Sequence, residues 1–385
     1  MEVSGVAVTT SLVIQVSMSM CASPVLRPSE GSERGGGVIF VDDTQGCACW
    51  LVESCRKRLP ALLRRMLGAA PARPRFTFRP PGDSMPPMYV VVNVDDLGLH
   101  AAVRRAVEDL SGLARVSSAT LLVNGPDAPA AARLSGAGSL GIGVHLNILR
   151  GRPESPAHEI PGLVGPQGLF LGDYVTLFKR YLGRAFTPAD AEREWTRQVE
   201  RALDLGVAPT HLDSEKHIHV WPGLFEAACR VAERFGIGWV RRPVELVSPL
   251  RWDKGGRRAR ILNTFALWHH LPTTGRVACP HSVFGVADQG AELLPGRLSA
   301  YMKRVRPDVL ELVCHPGAPM PEELAGDGPM PADYGPMRIS GQWILERDAL
   351  AAQGWDEAFA SAGARLVHYG QLDPATRGLR PEFRQ

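Results

Sequence analysis

From Tyr89 onward, short apolar runs alternate with segments in which apolar residues recur every three or four positions. That alternation predicts repeated βα units around a parallel sheet. "YVVVNV" (89–94) reads as a buried strand, "SATLLVNG" (118–125) as a second and "GIGVHLNI" (141–148) as a third. Later strands are predicted in "APTHLDS" (208–214), "IGWVRRP" (237–243), "VLELVCHPG" (309–317) and "ARLVHYGQL" (364–372). Between them, Val103, Ala106, Val107 and Leu110 stand at helical spacing. A helix is predicted from Pro188 to Leu205 with Thr187 as its cap, and another opening at Pro222 with Leu224, Ala228, Val231, Ala232 and Phe235 on one face.

Residues 1–87 lack such a period. They join a glycine run at 35–37 to Pro/Arg-rich text, "PARPRFTFRPPGDSMPPM", and are read as a poorly ordered extension ahead of a catalytic unit spanning 88–385. Met88 directly precedes the first strand, so the upstream text is also read as the product of a mis-assigned translation start.

Composition narrows the classes. With 45% hydrophobic and 22% charged residues, the chain of 385 can bury a large core and is neither fibrous nor wholly disordered. Ten Lys/Arg against seven Asp/Glu in residues 1–87 account for the net charge of +3, leaving 33 of each sign in the remainder. No basic stripe with interleaved aromatics marks a nucleic-acid surface, and the cluster Arg56, Lys57, Arg58, Arg64 and Arg65 reads as a solvated helix face. Four cysteines fall in the first 55 residues and three are scattered, which suggests no disulfide framework; Cys47, Cys49 and Cys55 lack zinc-site spacing. The first twenty residues lack a basic n-region, and no run approaches the ~18 apolar residues of a membrane helix. A cytoplasmic protein is expected, with no membrane and no nucleic-acid partner.

Four predicted strands end in residues suited to chemistry. These are the pair Asp95–Asp96, then His145, the run "HLDSEKHIH" (211–219), and His315 in "CHPG". In a (β/α) barrel the C-terminal strand ends meet at one mouth, so residues distant in sequence become neighbours. Alone, each has a plainer explanation: a turn-capping Asp pair before Gly98, a hydrogen-bonded core histidine, a surface loop. Their conjunction favours a site. One carboxylate of an Asp pair can bind a cation while the other acts as a base, and His315 suits a general acid. Arg241 and Arg242, after "GIGWV", are read either as sugar or acetate contacts or as a surface pair. The segments 153–171 and 317–335 are expected as rim loops.

These motifs resemble the YdjC-like family, which includes the chitooligosaccharide deacetylases. "VNVDDLGL" is similar to the family's N-A-D-D-F-G-L opening, and "TLLVNG" and "GIGVHLNI" follow in order. "PTHLDSEKHIHVWP" resembles P-T-H-L-D-S-H-x-H-x-H-x-x-P, and "ELVCHPG" its late His-Pro block. The motifs span 89–317, with weaker likeness to about Leu372. The resemblance implies an α/β distorted TIM-like (β/α) barrel that removes acetyl groups from N-acetylated amino sugars or short oligosaccharides. It implies one divalent ion, with Mg2+ favoured over Zn2+ or Mn2+, held by Asp96, His145 and the residue after Asp213-Ser214. That residue here is Glu215, where the family more often has His; an oxygen donor shifts the site toward harder ions, and His217 or His219 are alternative ligands. Asp95 is then the base and His315 the acid, with Arg241, His217 and His219 as substrate contacts. A homodimer is a candidate assembly. A sugar-binding barrel without catalysis, and an amidase or esterase acting on a non-sugar, are the competing readings.

Overall fold

The computed structural model describes residues 87–136, 140–267, 276–319 and 341–384. The extension before Pro87, with its cysteines and arginine cluster, and the rim segment beyond residue 319 lie outside the described residues.

Strand β1, Met88–Leu97, is buried at every position, which is why it reads as an almost unbroken apolar run. It pairs in parallel with three strands: β2 (Ser118–Leu121), β6 (Val309–Cys314) and β7 (Ala364–Leu366). β7 takes Met88–Val90 and β2 takes Asn93–Leu97, so the two share one edge of β1. With β3 (Gly141–Leu146), β4 (Leu212–Ser214) and β5 (Ser282–Phe284), the order is β4-β3-β2-β1-β6-β5, all parallel.

Beyond β4 the ladder continues as single bridges, Leu212 to Val240 and Trp239 to Ala278, and Ala278 lies four residues before β5. The curled sheet thereby meets its other edge as a distorted (β/α) barrel. The predicted 237–243 strand shrinks to these bridges because Pro243, lacking an N–H, ends the ladder just after Arg241 N donates to Leu212 O.

Helix α1 (Ala101–Gly112) buries Val103, Ala106, Val107 and Leu110, as their spacing predicts. α2 (Pro188–Asp204) starts with a capping box in which Thr187 N donates to Asp190. α3 (Leu224–Arg234) begins after Gly223 at φ 81°, so Pro222 lies outside it and Phe235 falls at its C-cap, only half-buried. α4 (Gly341–Ala351) buries Glu346. On α2, buried Glu194 accepts from the backbone N–H groups of Glu154 and Ser155, and Gln198 pairs with the backbone of Asn147. Two α2 side chains thus anchor the expected rim loop after β3. No described helix is long and apolar enough to cross a membrane.

A Cβ at Gly143 would stand 2.5 Å from His211 O and 2.6 Å from its ring, so β3 can lie against His211 only without a side chain there. Gly143→Ala is expected to lower stability by roughly 1–3 kcal/mol. Gly296→Ala, where a Cβ meets nothing within 4 Å, should change little; urea unfolding of both variants checks this.

Candidate metal centre

After Val94 the register of β1 shifts, and Asp96 takes φ 63°. Successive side chains of a regular strand point to opposite faces. The left-handed turn, costing about 1–2 kcal/mol for a non-glycine residue, lets both carboxylates of the Asp pair reach His145.

His145, at the end of β3, is held from both sides. Its Nδ1 lies 2.8 Å from Asp213 Oδ1; its Nε2 is 3.3 Å from Asp96 Oδ1 and 3.9 Å from Glu215 Oε2. Two groups therefore place three potential metal donors within 4.8 Å of one another: Asp96–His145–Glu215 and Asp95–His145–Asp213. The second is already filled by a cation. Arg241 Nη1 and Nη2 donate to Asp95 Oδ2 and Oδ1 at 2.7 and 2.6 Å, Nη2 lies 2.7 Å from Asp213 Oδ2, and Nε donates to Glu311 Oε1 at 2.9 Å. The first group is the one suited to a metal.

The charges agree with that division. Burial would raise Asp95, but Arg241 holds it far below the usual carboxylate range. Burial would depress His145, yet Asp213 and Asp96 hold it well above the ordinary imidazole value. Glu215 is pushed up by burial and by the neighbouring Asp96 charge, partly offset by Arg150 and Lys216. Two close buried carboxylates beside one imidazole nitrogen call for positive charge, and a divalent ion would supply it in exchange for the Nε2 proton of His145. Two oxygens and one nitrogen suit Mg2+, Mn2+ or Zn2+, and the Asp213–His145 bond orients the imidazole as carboxylates do behind metal-bound histidines. The residues fit the group.

His315, directly after β6, faces this cluster. Its Nε2 lies 3.8 Å from Asp95 Oδ2 and its Nδ1 3.8 Å from Glu346 Oε2, while its backbone N donates to Glu346 at 2.5 Å. Burial alone would depress the ring, but Glu346, Asp95 and Asp96 outweigh it and raise it to about 9. His315 therefore carries a proton at neutral pH.

The structure brings Asp95, Asp96, His145, Glu215 and His315 together. Arg241, expected at the substrate, instead has its guanidinium fully buried beneath the carboxylates, which use its N–H groups. Arg242 points elsewhere, Nε to Ala266 O. His219 is buried and braced between Ser214 Oγ and Arg241 O at 2.5 and 2.8 Å, so it supports the Arg241 backbone and has no free ring nitrogen for a sugar. His217, at φ 54°, stays partly exposed, near enough for the charges of Asp95 and His315 to act on it. Its buried Nδ1 has no hydrogen-bond partner.

Seven further residues support the site, and their sequence context alone does not give them these roles. Asn93 and Thr120 donate to Asp95 and Asp213, at 2.9 and 3.0 Å. Asp213 lies within the run "HLDSEKHIH" without an individual role there, and Glu311 is a carboxylate inside the strand text "VLELVC". Tyr369 donates to Glu311 at 2.8 Å. Arg150 and Glu346 carried no signal of their own.

The family profile described as YdjC-like protein matches residues 89–361. A human protein named carbohydrate deacetylase is 29% identical over 323 residues, covering 77% of this chain and 94% of its own length. One of the same name from Geobacillus stearothermophilus is 29% identical, covering 74% and 98%. Another, from Halalkalibacterium halodurans, is 34% identical over 227 residues, covering 56% and 94%. A crystal structure from Enterococcus faecalis V583, titled as that of a cellobiose-phosphate cleavage protein, superposes with a TM-score of 0.53 at 20% identity, over 74% of this chain and 98% of that one. It bears on the fold alone.

Arg241→Met would leave Asp95, Asp213 and Glu311 facing one another without a counter-charge, and should cost roughly 3–5 kcal/mol at pH 7. Asp213 and Glu311 already lie above their ordinary values through burial. Removing the cation raises them further, so the deficit should shrink as pH falls and they take up protons. Urea unfolding at pH 7 and pH 5 measures both.

Proposed function

The chain belongs to the YdjC-like family, and from that premise we propose that it is a metal-dependent hydrolase removing the acetyl group from N-acetylated amino sugars or short oligosaccharides. The observation that carries the reading is the meeting of the Asp96–His145–Glu215 donor set with the facing pair Asp95 and His315. Relatives covering nearly their whole length are named carbohydrate deacetylases, which supports the substrate class.

A divalent ion held by Asp96, His145 and Glu215, with Mg2+ the favoured choice, would supply Lewis acidity to polarise the amide carbonyl and acidify water. Asp95 accepts the proton of the attacking water. Arg241 keeps it ionised and, with Asn93, fixes which oxygen faces the site, at a cost in basicity, so orientation is its main contribution. His315 delivers the proton that lets the amine depart, since an unprotonated amide nitrogen is a poor leaving group. Glu346 keeps that proton on His315 and holds the residue's backbone in place. His217, the partly exposed histidine of the run, is the candidate for a sugar contact. We place this activity in the cytoplasm.

Asp96→Ala should abolish both divalent-metal content and acetate release from N-acetylglucosamine oligosaccharides; retention of both would sink the assignment. The rate should decline at alkaline pH as His315, held above the ordinary imidazole value chiefly by Glu346, loses its proton, because only its protonated form donates. Glu346→Gln removes the charge that lifts it, so this alkaline limb should move down toward the ordinary imidazole value near 6.5. A pH profile of kcat/KM for both proteins reads the shift.

A further inference from the structure

Glu215 differs from an imidazole ligand in two ways: it carries a full negative charge, and it offers two donor oxygens. The structure divides those oxygens. Oε2 faces His145 Nε2 at 3.9 Å, while Arg150 Nε lies 3.4 Å from Oε1. Both side chains are largely buried, at 8% exposed for Glu215 and 13% for Arg150.

Arg150 is not a surface side chain that drifted there. Asn147 Oδ1 accepts its backbone N–H at 3.1 Å, and Asn147 Nδ2 and Asn124 Nδ2 donate to its carbonyl at 2.7 and 3.1 Å. Asn147 is itself fixed to α2 by Gln198. The loop after β3 is thus built to present Arg150 at a set position. Lys216 also acts on Glu215 but is exposed.

Resting on the reading of Asp96, His145 and Glu215 as a divalent metal site, we propose that Arg150 makes Glu215 a single-donor, charge-compensated ligand, the electrostatic equivalent of a neutral imidazole. The Glu–Arg pair has no net charge and leaves one oxygen for the ion. Without Arg150, two uncompensated carboxylates would hold the ion more tightly and neutralise its charge, leaving less to polarise a carbonyl. The pair thereby trades affinity for Lewis acidity.

Calorimetric titration of Mn2+ into metal-free full-length protein tests this without reference to turnover. Arg150→Ala and Arg150→Gln, the latter preserving polarity and much of the length, should each tighten Mn2+ binding by roughly tenfold. Glu215→His leaves the guanidinium unpaired beside the ion and should weaken binding, and adding Arg150→Ala should recover that loss. Binding that is unchanged or weaker in both folded Arg150 variants, or no recovery in the double variant, overturns the proposal while leaving the metal site intact. Wild-type binding no stronger than that of Asp96→Ala overturns the metal-site reading and the proposal with it.

Discussion

A guanidinium enclosed by three carboxylates is the interaction on which the remainder of the site rests. Arg241 follows the short bridge segment at 239–240, and its partners Asp95, Asp213 and Glu311 come from β1, β4 and β6. One side chain thereby ties four members of the barrel together across its mouth. Ion pairs of this kind need not stabilise a fold relative to apolar packing, but each member is costly to remove, and they fix which strand faces which. The consequence reaches His145, because Asp213, held by Arg241 through one oxygen, uses the other to orient the imidazole. Tyr369 extends the same network from the C-terminal side through Glu311.

The polar cluster sits on an apolar base made by the same strands. Positions 89, 91, 93 and 95 of β1 share a face by strand alternation. The first two, Tyr89 and Val91, pack with Val309, Trp239, Tyr369 and Ala278; the last two are Asn93 and Asp95. Along one strand the environment changes from hydrocarbon at Val91 to an ion pair at Asp95, four residues on. That transition explains the large displacements of Asp95 and His145 from their ordinary values in opposite directions: burial amplifies every charge interaction while water is absent to moderate it.

Much of this was legible in the sequence because the strands are short and end abruptly in chemistry. "YVVVNVDD" shows both the buried strand and the carboxylates, and "GIGVHL" shows a strand whose glycines leave room for two histidines, His368 and His211, against its backbone. The role of Arg241 was not legible, since an Arg-Arg pair before proline reads the same on a surface or under a site, and only the three-dimensional meeting of β1, β4 and β6 decides. Glu311 could have been suspected, as a carboxylate inside a six-residue buried strand must have a partner. Glu346 could not, because its partner is the backbone of a residue 31 positions away on another element. The closing bridges at Trp239, Val240 and Ala278 were equally hidden, being too brief to leave a period.

Among the described strands, β1 is the first to be synthesised and the one with the most neighbours. Its partners β6 and β7 begin at Val309 and Ala364, more than 200 residues later. During translation, one whole edge of a strand containing Tyr89, Val90, Val91 and Val92 must wait unpaired while the intervening helices emerge. Such an edge is a template for mispairing with other chains. The nascent protein therefore depends on α1 and β2 to cover part of that strand early. Among the described strands β7 comes latest in the chain, so the edge of β1 at Met88–Val90 is the part covered last.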